Sequence, residues 1–270
     1  MTSIETTCAA APDRALRAAE DRIERALRAN GRAFVPYVVA GEPTLEESAR
    51  LVADAAESGA DLIEVGIPFS DPTAEGEVTK QASLRSLARK TSPDDVFELV
   101  RSVRATGVSC PIALVSYANV AFSYGTDRFM RACAVAGVDA VVLVDVPLEE
   151  RAEFCAPAAE HGICMPCVAY PAPEKRLAAI ARAAEGFVQL ACPPGFPEAQ
   201  ARAAADALRK HASVPVAVAY ENAEPSQAGG LAALADGVVV NAAVTELMQA
   251  GGLEAARAYL RSAAEGVHAS

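Results

Sequence analysis

The chain has 270 residues, enough for one large α/β domain, and with 52% hydrophobic and 22% charged residues it can bury a substantial core. A net charge of −11 argues against nucleic acid or an anionic membrane as a partner. No apolar run reaches the length of a membrane span, and the first residues lack a basic-then-apolar signal, so a cytoplasmic location is expected.

The chain then follows a regular alternation of predicted elements. Residues 1–11 are small and polar and are expected to form a disordered tail. Residues 12–30 carry apolar side chains three and four positions apart, which predicts an amphipathic helix. After this helix, short apolar segments predict eight strands, at 34–40, 62–69, 111–117, 140–146, 164–170, 187–192, 214–220 and 237–242.

Each predicted strand is followed by at least one predicted helix, and no linker divides the chain. The helices are predicted at 44–58, 78–88, 92–104, 126–136, 148–161, 173–184, 197–211, 224–235 and 253–264. Eight such units predict a single (β/α)8 barrel, the TIM barrel, over residues 12–270, with an extra helix at its N-terminal end. A doubly wound sheet usually has a glycine fingerprint after its first strand, which residues 40–43 do not provide.

The second strand and the loop after it carry two carboxylates. Glu64 interrupts the apolar run, and a charge inside a strand buried on both faces costs several kcal/mol unless it is used or paired. Pro68 and Pro72 then mark the end of the strand and a loop that holds Glu75. Because TIM barrels work at the C-terminal ends of their strands, we predict that Glu64 and Glu75 are a catalytic pair. The alternative for Glu64 is a structural acid paired with a backbone amide or a lysine.

Other polar side chains fall at the C-terminal ends of the predicted strands and are candidates for substrate binding. They are Tyr117, Gln189, Tyr220, Glu221 and Asn241, and Tyr37, within the first predicted strand, is a further candidate. The three histidines lie at loop or terminal positions without partners in the sequence, so no metal site is predicted. Seven cysteines, an odd number scattered through apolar stretches, argue against a disulfide framework.

One stretch resembles a known signature. Glu64-Val-Gly-Ile-Pro-Phe-Ser-Asp-Pro72, followed by Ala74-x-Gly76 and Gln81-Ala-Ser-Leu-Arg85, is similar to the signature of the tryptophan synthase α subunit family. The segments 115–120 and 144–147 resemble the third and fourth strands of that family. The family has a (β/α)8 barrel with an additional N-terminal helix, in agreement with the alternation of predicted elements.

The resemblance implies an activity and a partner. The family cleaves indole-3-glycerol phosphate to indole and glyceraldehyde 3-phosphate, a retro-aldol reaction that uses no metal or organic cofactor. By resemblance, Glu64 protonates the indole carbon, and Glu75 holds the ring N–H and stabilises the developing positive charge. The implied partner is a pyridoxal-phosphate-dependent β subunit. Three residues depart from the family pattern: Glu75 stands where the family has aspartate, Tyr37 where phenylalanine is usual, and Gln189 where the sixth strand of the family has tyrosine.

The family's phosphate-binding loops are also altered here. Adjacent prolines follow the sixth strand, Ala219-Tyr-Glu221 replaces Gly-x-Gly after the seventh, and Asn241-Ala242 replaces Gly-Ser after the eighth. These changes remove backbone donors and add a carboxylate. The main hypothesis is therefore a lyase or aldolase of this type, acting on an indole-like substrate with a non-phosphorylated tail that hydrogen-bonds Gln189, Tyr220, Glu221 and Asn241. The alternatives are an ordinary tryptophan synthase α subunit and a non-catalytic regulatory partner of a β subunit.

Overall fold

The computed structural model describes residues 14–193, 195–220 and 225–270, so the tail predicted at 1–11 and the candidate residue Glu221 lie outside the described residues. The strands in the described ranges are all parallel and form one sheet. They are β1 Ala33–Val39, β2 Ile63–Gly66, β3 Ile112–Ser116, β4 Ala140–Leu143, β5 Cys167–Ala169, β6 Val188–Ala191, β7 Val216–Tyr220 and β8 Gly237–Val240.

Helices alternate with these strands. They are α1 Arg14–Arg28, α2 Leu45–Glu57, α3 Glu77–Ala88, α4 Pro93–Ala105, α5 Ala118–Tyr124, α6 Thr126–Ala136, α7 Ala152–Glu160, α8 Glu174–Arg182, α9 Glu198–Arg209, α10 Pro225–Ala232 and α11 Ala242–His268. A short 3₁₀ turn, Leu148–Glu150, precedes α7. No helix among the described residues is both long and apolar enough to cross a membrane.

The sheet curls into a barrel. Its strand order is β4-β3-β2-β1-β8-β7-β6-β5, and the two end strands meet through a parallel bridge between Ala140 and Cys164. At this junction the Val141 N–H donates to the Cys164 carbonyl at 2.9 Å. The predicted (β/α)8 barrel with an additional N-terminal helix is confirmed.

The alternation of side chains along each strand separates two apolar cores. Outward-facing residues such as Ile63 and Val65 pack against the surrounding helices. Inward-facing residues such as Tyr37 and Ala113 form a second cluster inside the barrel. Ile23, with other apolar residues of α1, belongs to the inner cluster, so α1 contributes its apolar face to the barrel interior.

Two buried acids and one partly exposed acid tie the strands together at their N-terminal ends. Asp61, Asp139 and Asp236 each stand just before a strand and accept a backbone N–H from the neighbouring strand at 2.8–2.9 Å, the donors being Phe34, Ile112 and Val216. These carboxylates have their hydrogen bonds satisfied by the barrel itself. They are structural acids at the end of the barrel where stability rather than chemistry is expected.

Three helices differ from the sequence prediction. The segment after β3, for which no element was predicted, forms α5. The helix predicted at 148–161 is divided into the 3₁₀ turn and α7. The last helix, Ala242–His268, consists of two helical segments separated by Gly252, whose backbone is not helical (φ 67°, ψ −163°). The helix predicted from 253 corresponds to the second segment, and the first segment, from Ala242, was not predicted.

Candidate active site

Glu64 faces the interior of the barrel because of its position in β2. Its partners in register are Tyr37 on β1 and Ala113 on β3, and both belong to the inner cluster. Since successive side chains of a strand point to opposite faces, Ile63 and Val65 point toward the helices instead. The Glu64 side chain is almost fully enclosed, at 1% exposed.

The buried Glu64 carboxyl lacks the partners that a structural acid would have. Neither oxygen has a hydrogen-bond partner, and no lysine or arginine among the described residues forms an ion pair with it. Burial, and secondly the negative charge of Glu75, raise the pKa of Glu64 to about 8. The group is therefore protonated near neutral pH. The geometry does not match the alternative of an acid paired with an amide or a lysine.

The loop between β2 and α3 brings Glu75 to the same place. The Tyr37 hydroxyl donates a hydrogen bond to Glu75 Oε1 at 3.1 Å. The loop is also held by Tyr117, whose hydroxyl accepts the N–H of Ala74 at 3.1 Å and whose ring stacks on Phe69 with centroids 4.7 Å apart. Two tyrosines, one on β1 and one at the end of β3, the strands on either side of β2, thus fix the loop over the barrel mouth.

A cavity of about 280 Å³ opens between these groups at the C-terminal ends of the strands. Its walls are largely apolar, with Val115, Val144 and Val168 among them, as suits a flat aromatic guest. Of the residues predicted for the site, it brings together Tyr37, Glu64, Glu75, Gln189 and Asn241. No lysine or arginine is among the described residues that line it.

Two amide side chains lie at the other end of the cavity. Gln189 occupies the inner layer of the barrel, where its neighbours in register are Val168 and Ala217. Asn241 directly precedes α11 and occupies its N-cap position without a side-chain capping bond. The carbonyl oxygens Gln189 Oε1 and Asn241 Oδ1 are buried without hydrogen-bond partners. Both amides are therefore available to a polar group of a ligand.

The structure does not bring every predicted residue into the cavity. Tyr220 pairs in register with the outward-facing Val240 and packs with the outer core, while Ala219 takes the inner place. Burial and the neighbouring Cys192 thiol raise the pKa of Tyr220 to about 12. Tyr117 holds the loop and is not among the residues lining the cavity.

One lining residue escaped the sequence analysis although its position gave a signal. Tyr170 follows β5 and lines the cavity, and its hydroxyl donates to the Val144 carbonyl at 3.2 Å. It was predicted as the last residue of the fifth strand, the position at which the other polar candidates were chosen. Cys192 and Pro193, which also line the cavity, gave no comparable signal because the chemistry of neither residue points to substrate binding.

The geometry agrees with comparisons to known proteins. The model of a protein family, the tryptophan synthase α chain, matches residues 23–267. The chain belongs to the tryptophan synthase α chain family. The tryptophan synthase α chain of Geobacter sulfurreducens is 40% identical over 231 residues, which cover 83% of this chain and 87% of that protein. That of Geotalea uraniireducens is 37% identical over 227 residues, covering 82% and 85%.

Solved structures of tryptophan synthase α subunits have the same fold. The α subunit from Legionella pneumophila superposes with a TM-score of 0.86 at 31% identity, covering 92% of this chain and 99% of that one. A chain of tryptophan synthase from M. tuberculosis superposes with a TM-score of 0.85 at 29% identity, covering 92% and 98%. The resemblance to the tryptophan synthase α family around Glu64 is thus confirmed over most of the chain. Membership of this family implies that the protein is a lyase.

Proposed function

We propose that the protein is an indole-3-glycerol-phosphate lyase, which cleaves its substrate to indole and glyceraldehyde 3-phosphate. The observation that carries the proposal is the buried, unpaired Glu64 carboxyl, which is protonated at neutral pH and lies close to a second acid in an apolar-walled cavity. Such a carboxyl suits a general acid, because its pKa lies near the working pH.

The chemistry needs two acids in different charge states. Protonated Glu64 donates its proton to the ring carbon that bears the glycerol chain, while Glu75 accepts the ring N–H and stabilises the resulting cation. The carbon–carbon bond then breaks, and its electron pair returns to the ring to give indole. The proton of the adjacent chain hydroxyl passes to the Glu64 carboxylate as the hydroxyl becomes the aldehyde, so Glu64 ends the cycle protonated.

The N-terminus of α11 supports a phosphate at the far end of the substrate. A helix start leaves backbone N–H groups without partners, and these favour an anion. Here Asn241 stands at the N-cap without a side-chain bond that would satisfy those groups, and it lines the cavity. Backbone donors at this position would serve a phosphate without any lysine or arginine.

A second candidate is the same reaction on an indole-like substrate with a non-phosphorylated tail. The lining favours it, because Gln189 and Asn241 offer amide groups to hydroxyls and no basic side chain among the described residues faces the tail. The altered loops after the sixth, seventh and eighth strands point the same way, although Glu221 lies outside the described residues.

Cleavage kinetics followed by indole fluorescence can decide between the two tails. The chain contains no tryptophan, so the emission of an indole compound can be followed without background from protein tryptophan. We expect indole-3-glycerol phosphate to be cleaved with a kcat/KM at least tenfold above that of its dephosphorylated analogue, a discrimination of about 1.4 kcal/mol. Equal or better cleavage of the analogue would favour the second candidate, and cleavage of neither would contradict both.

We also propose a pyridoxal-phosphate-dependent β subunit as partner and a cytoplasmic location. The loop segment Pro68-Phe-Ser-Asp-Pro72, which the resemblance places on the partner surface, precedes Glu75. Co-purification with a β subunit and stimulation of its activity would support the partnership. If the protein were only a regulatory partner, the wild type would show no lyase activity. The Glu64→Gln variant would then still bind the β subunit and stimulate its activity as the wild type does.

A further inference from the structure

The Tyr37 hydroxyl is the one polar group among the side chains of β1. β1 reads Ala-Phe-Val-Pro-Tyr-Val-Val and is buried along its whole length, with Tyr37 3% exposed. A hydroxyl in such a place costs free energy unless it is hydrogen-bonded. Its bond to Glu75 Oε1 crosses from the strand to the loop and satisfies it. Packing inside the barrel accounts for the aromatic ring of Tyr37 but not for its hydroxyl group.

β2 is shaped to accept this hydroxyl. A Cβ atom at Gly66 would lie 1.9 Å from the Tyr37 hydroxyl oxygen and 2.5 Å from the ring carbon that carries it. Gly66 is not among the residues with positive φ, so backbone conformation does not demand a glycine there. The missing side chain provides space, and the tyrosine fills it. Gly66 therefore leaves room for the ring at position 37 and for the hydroxyl that it carries.

We propose that Tyr37 is a positioning residue, whose hydroxyl holds the Glu75 carboxylate against the catalytic cavity beside Glu64. The inference rests on the proposed function of Glu75. A glutamate on a loop has one more rotatable bond than an aspartate, and each such bond is an additional way to leave the productive position. The hydrogen bond removes that freedom. An aspartate at position 75 would stop about one C–C bond short of the hydroxyl and leave it without its acceptor.

The same bond bears on the protonation of Glu64. The negative charge of Glu75 is one of the two causes that raise the pKa of Glu64, the first being burial. The titratable side chains that line the cavity together with Glu64 are Tyr37, Glu75, Tyr170 and Cys192. Burial and the charge of Glu75 raise the pKa of Tyr37 well above its ordinary value, so Tyr37 remains a donor over the working range. If Glu75 swings away, the pKa of Glu64 falls.

A double-mutant cycle with Tyr37→Phe and Glu75→Asp tests the proposal. Each single variant is expected to lower kcat on the order of tenfold, the scale of a small displacement of a catalytic group, with less change in KM. In the Glu75→Asp background, Tyr37→Phe is expected to cost less than about twofold or to restore activity, because no bond is left to lose. If the effects of the two single substitutions on kcat multiplied in the double variant, the proposal would be overturned. Tyr124→Phe is the control, since Tyr124 donates to Asp94 at 2.5 Å on the exposed surface.

Two further measurements distinguish positioning from a merely structural role. In Tyr37→Phe the alkaline limb of the pH–rate profile is expected to move below pH 8, and an unmoved limb would contradict the proposal. A ligand-free crystal structure of Tyr37→Phe should show the Glu75 side chain displaced. Glu75 in its wild-type position would overturn the inference. Because this structure needs no substrate, it tests the inference even if the proposed lyase reaction fails.

Discussion

The acids of this barrel differ in function because they differ in their partners. Glu42 is buried at 5% exposure but pairs with Arg85 at 2.7 Å and with Arg89 at 2.8 Å. Asp139 is buried and receives Arg104 at 2.6 Å together with a backbone N–H. Glu64 is buried and receives none of these. An acid whose burial is not compensated keeps its proton, and that is the property a general acid requires.

Glu64→Gln is expected to lower kcat for the lyase reaction by about 10²–10⁴, the usual contribution of general acid catalysis. The wild-type rate should fall as pH rises through about 8, since the donor is then lost, and this limb should be absent from the residual activity of the variant. Steady-state kinetics over a pH series would check both points. Glu42→Gln, at a paired buried acid, is the control and should keep the limb.

The same substitution should stabilise the protein in alkaline solution. The folded-state pKa of Glu64, about 8, exceeds the ordinary glutamate pKa of 4.5, so the folded protein holds one more proton than the unfolded chain between these values. Stability therefore falls as pH rises from about 4.5 to about 8 and then levels off. Glu64→Gln removes this loss.

Thermal unfolding of the two variants above pH 8 would test that sign. Glu64→Gln is expected to melt above the wild type there, by several degrees for a gain of a few kcal/mol. Glu42→Gln should melt below it, because it breaks charge-assisted hydrogen bonds worth about 1–3 kcal/mol. A Glu64→Gln variant that is less stable than the wild type at this pH would show that the carboxyl has a partner after all.

At the scale of elements, the loop between β2 and α3 is held in place by few contacts. Tyr117 provides two of them, the hydrogen bond from the Ala74 N–H and the stacking on Phe69. Tyr117→Phe removes only the first, worth about 0.5–1.5 kcal/mol. Hydrogen exchange at residues 73–76 should become faster while the melting temperature hardly changes. Unchanged exchange would mean that the loop is held by other contacts.

The elements themselves were largely predictable, because the period of apolar residues is a local property of the sequence. The strand carrying Glu64 and the turn residues Pro68 and Pro72 were read correctly. The face of the sheet to which a residue at a strand end points was harder to predict. Tyr220 was chosen for its polar tip, yet the register places Ala219 inward and Tyr220 outward. The α5 helix was missed because seven residues are too few to show a helical period.

The site was predictable in its residue types but not in its pairings. Glu64, Glu75, Gln189 and Asn241 could be named because polar groups at the ends of parallel strands converge in a barrel. The bond between Tyr37 and Glu75 spans 38 positions and depends on how the loop folds back, which no local pattern encodes. The same holds for the space at Gly66, which has meaning only once β1 and β2 lie side by side.

At the scale of the whole molecule, the two ends of the barrel are built for different purposes. At the N-terminal end of the strands, acids and amides satisfy one another, and α1 adds Arg22, which pairs with Asp139. At the C-terminal end, Glu64, Gln189 and Asn241 keep oxygens without partners around a cavity. Unsatisfied buried groups lower stability, so the end that carries the cavity depends on the other end for the folding free energy.

This division predicts that packing at α1 can be weakened without harm to the chemistry. Ile23 is fully buried in the inner cluster, and Ile23→Ala should lower the free energy of unfolding by about 2–5 kcal/mol, against about 0.5–1.5 kcal/mol for Ile23→Val. Denaturant unfolding would measure both. Below the melting temperature, kcat and KM of the folded Ile23→Ala protein should stay within about twofold of the wild type, because its cavity lies at the far end of the strands from α1. A large loss of kcat in a folded variant would show instead that the packing of α1 is coupled to the position of Glu64.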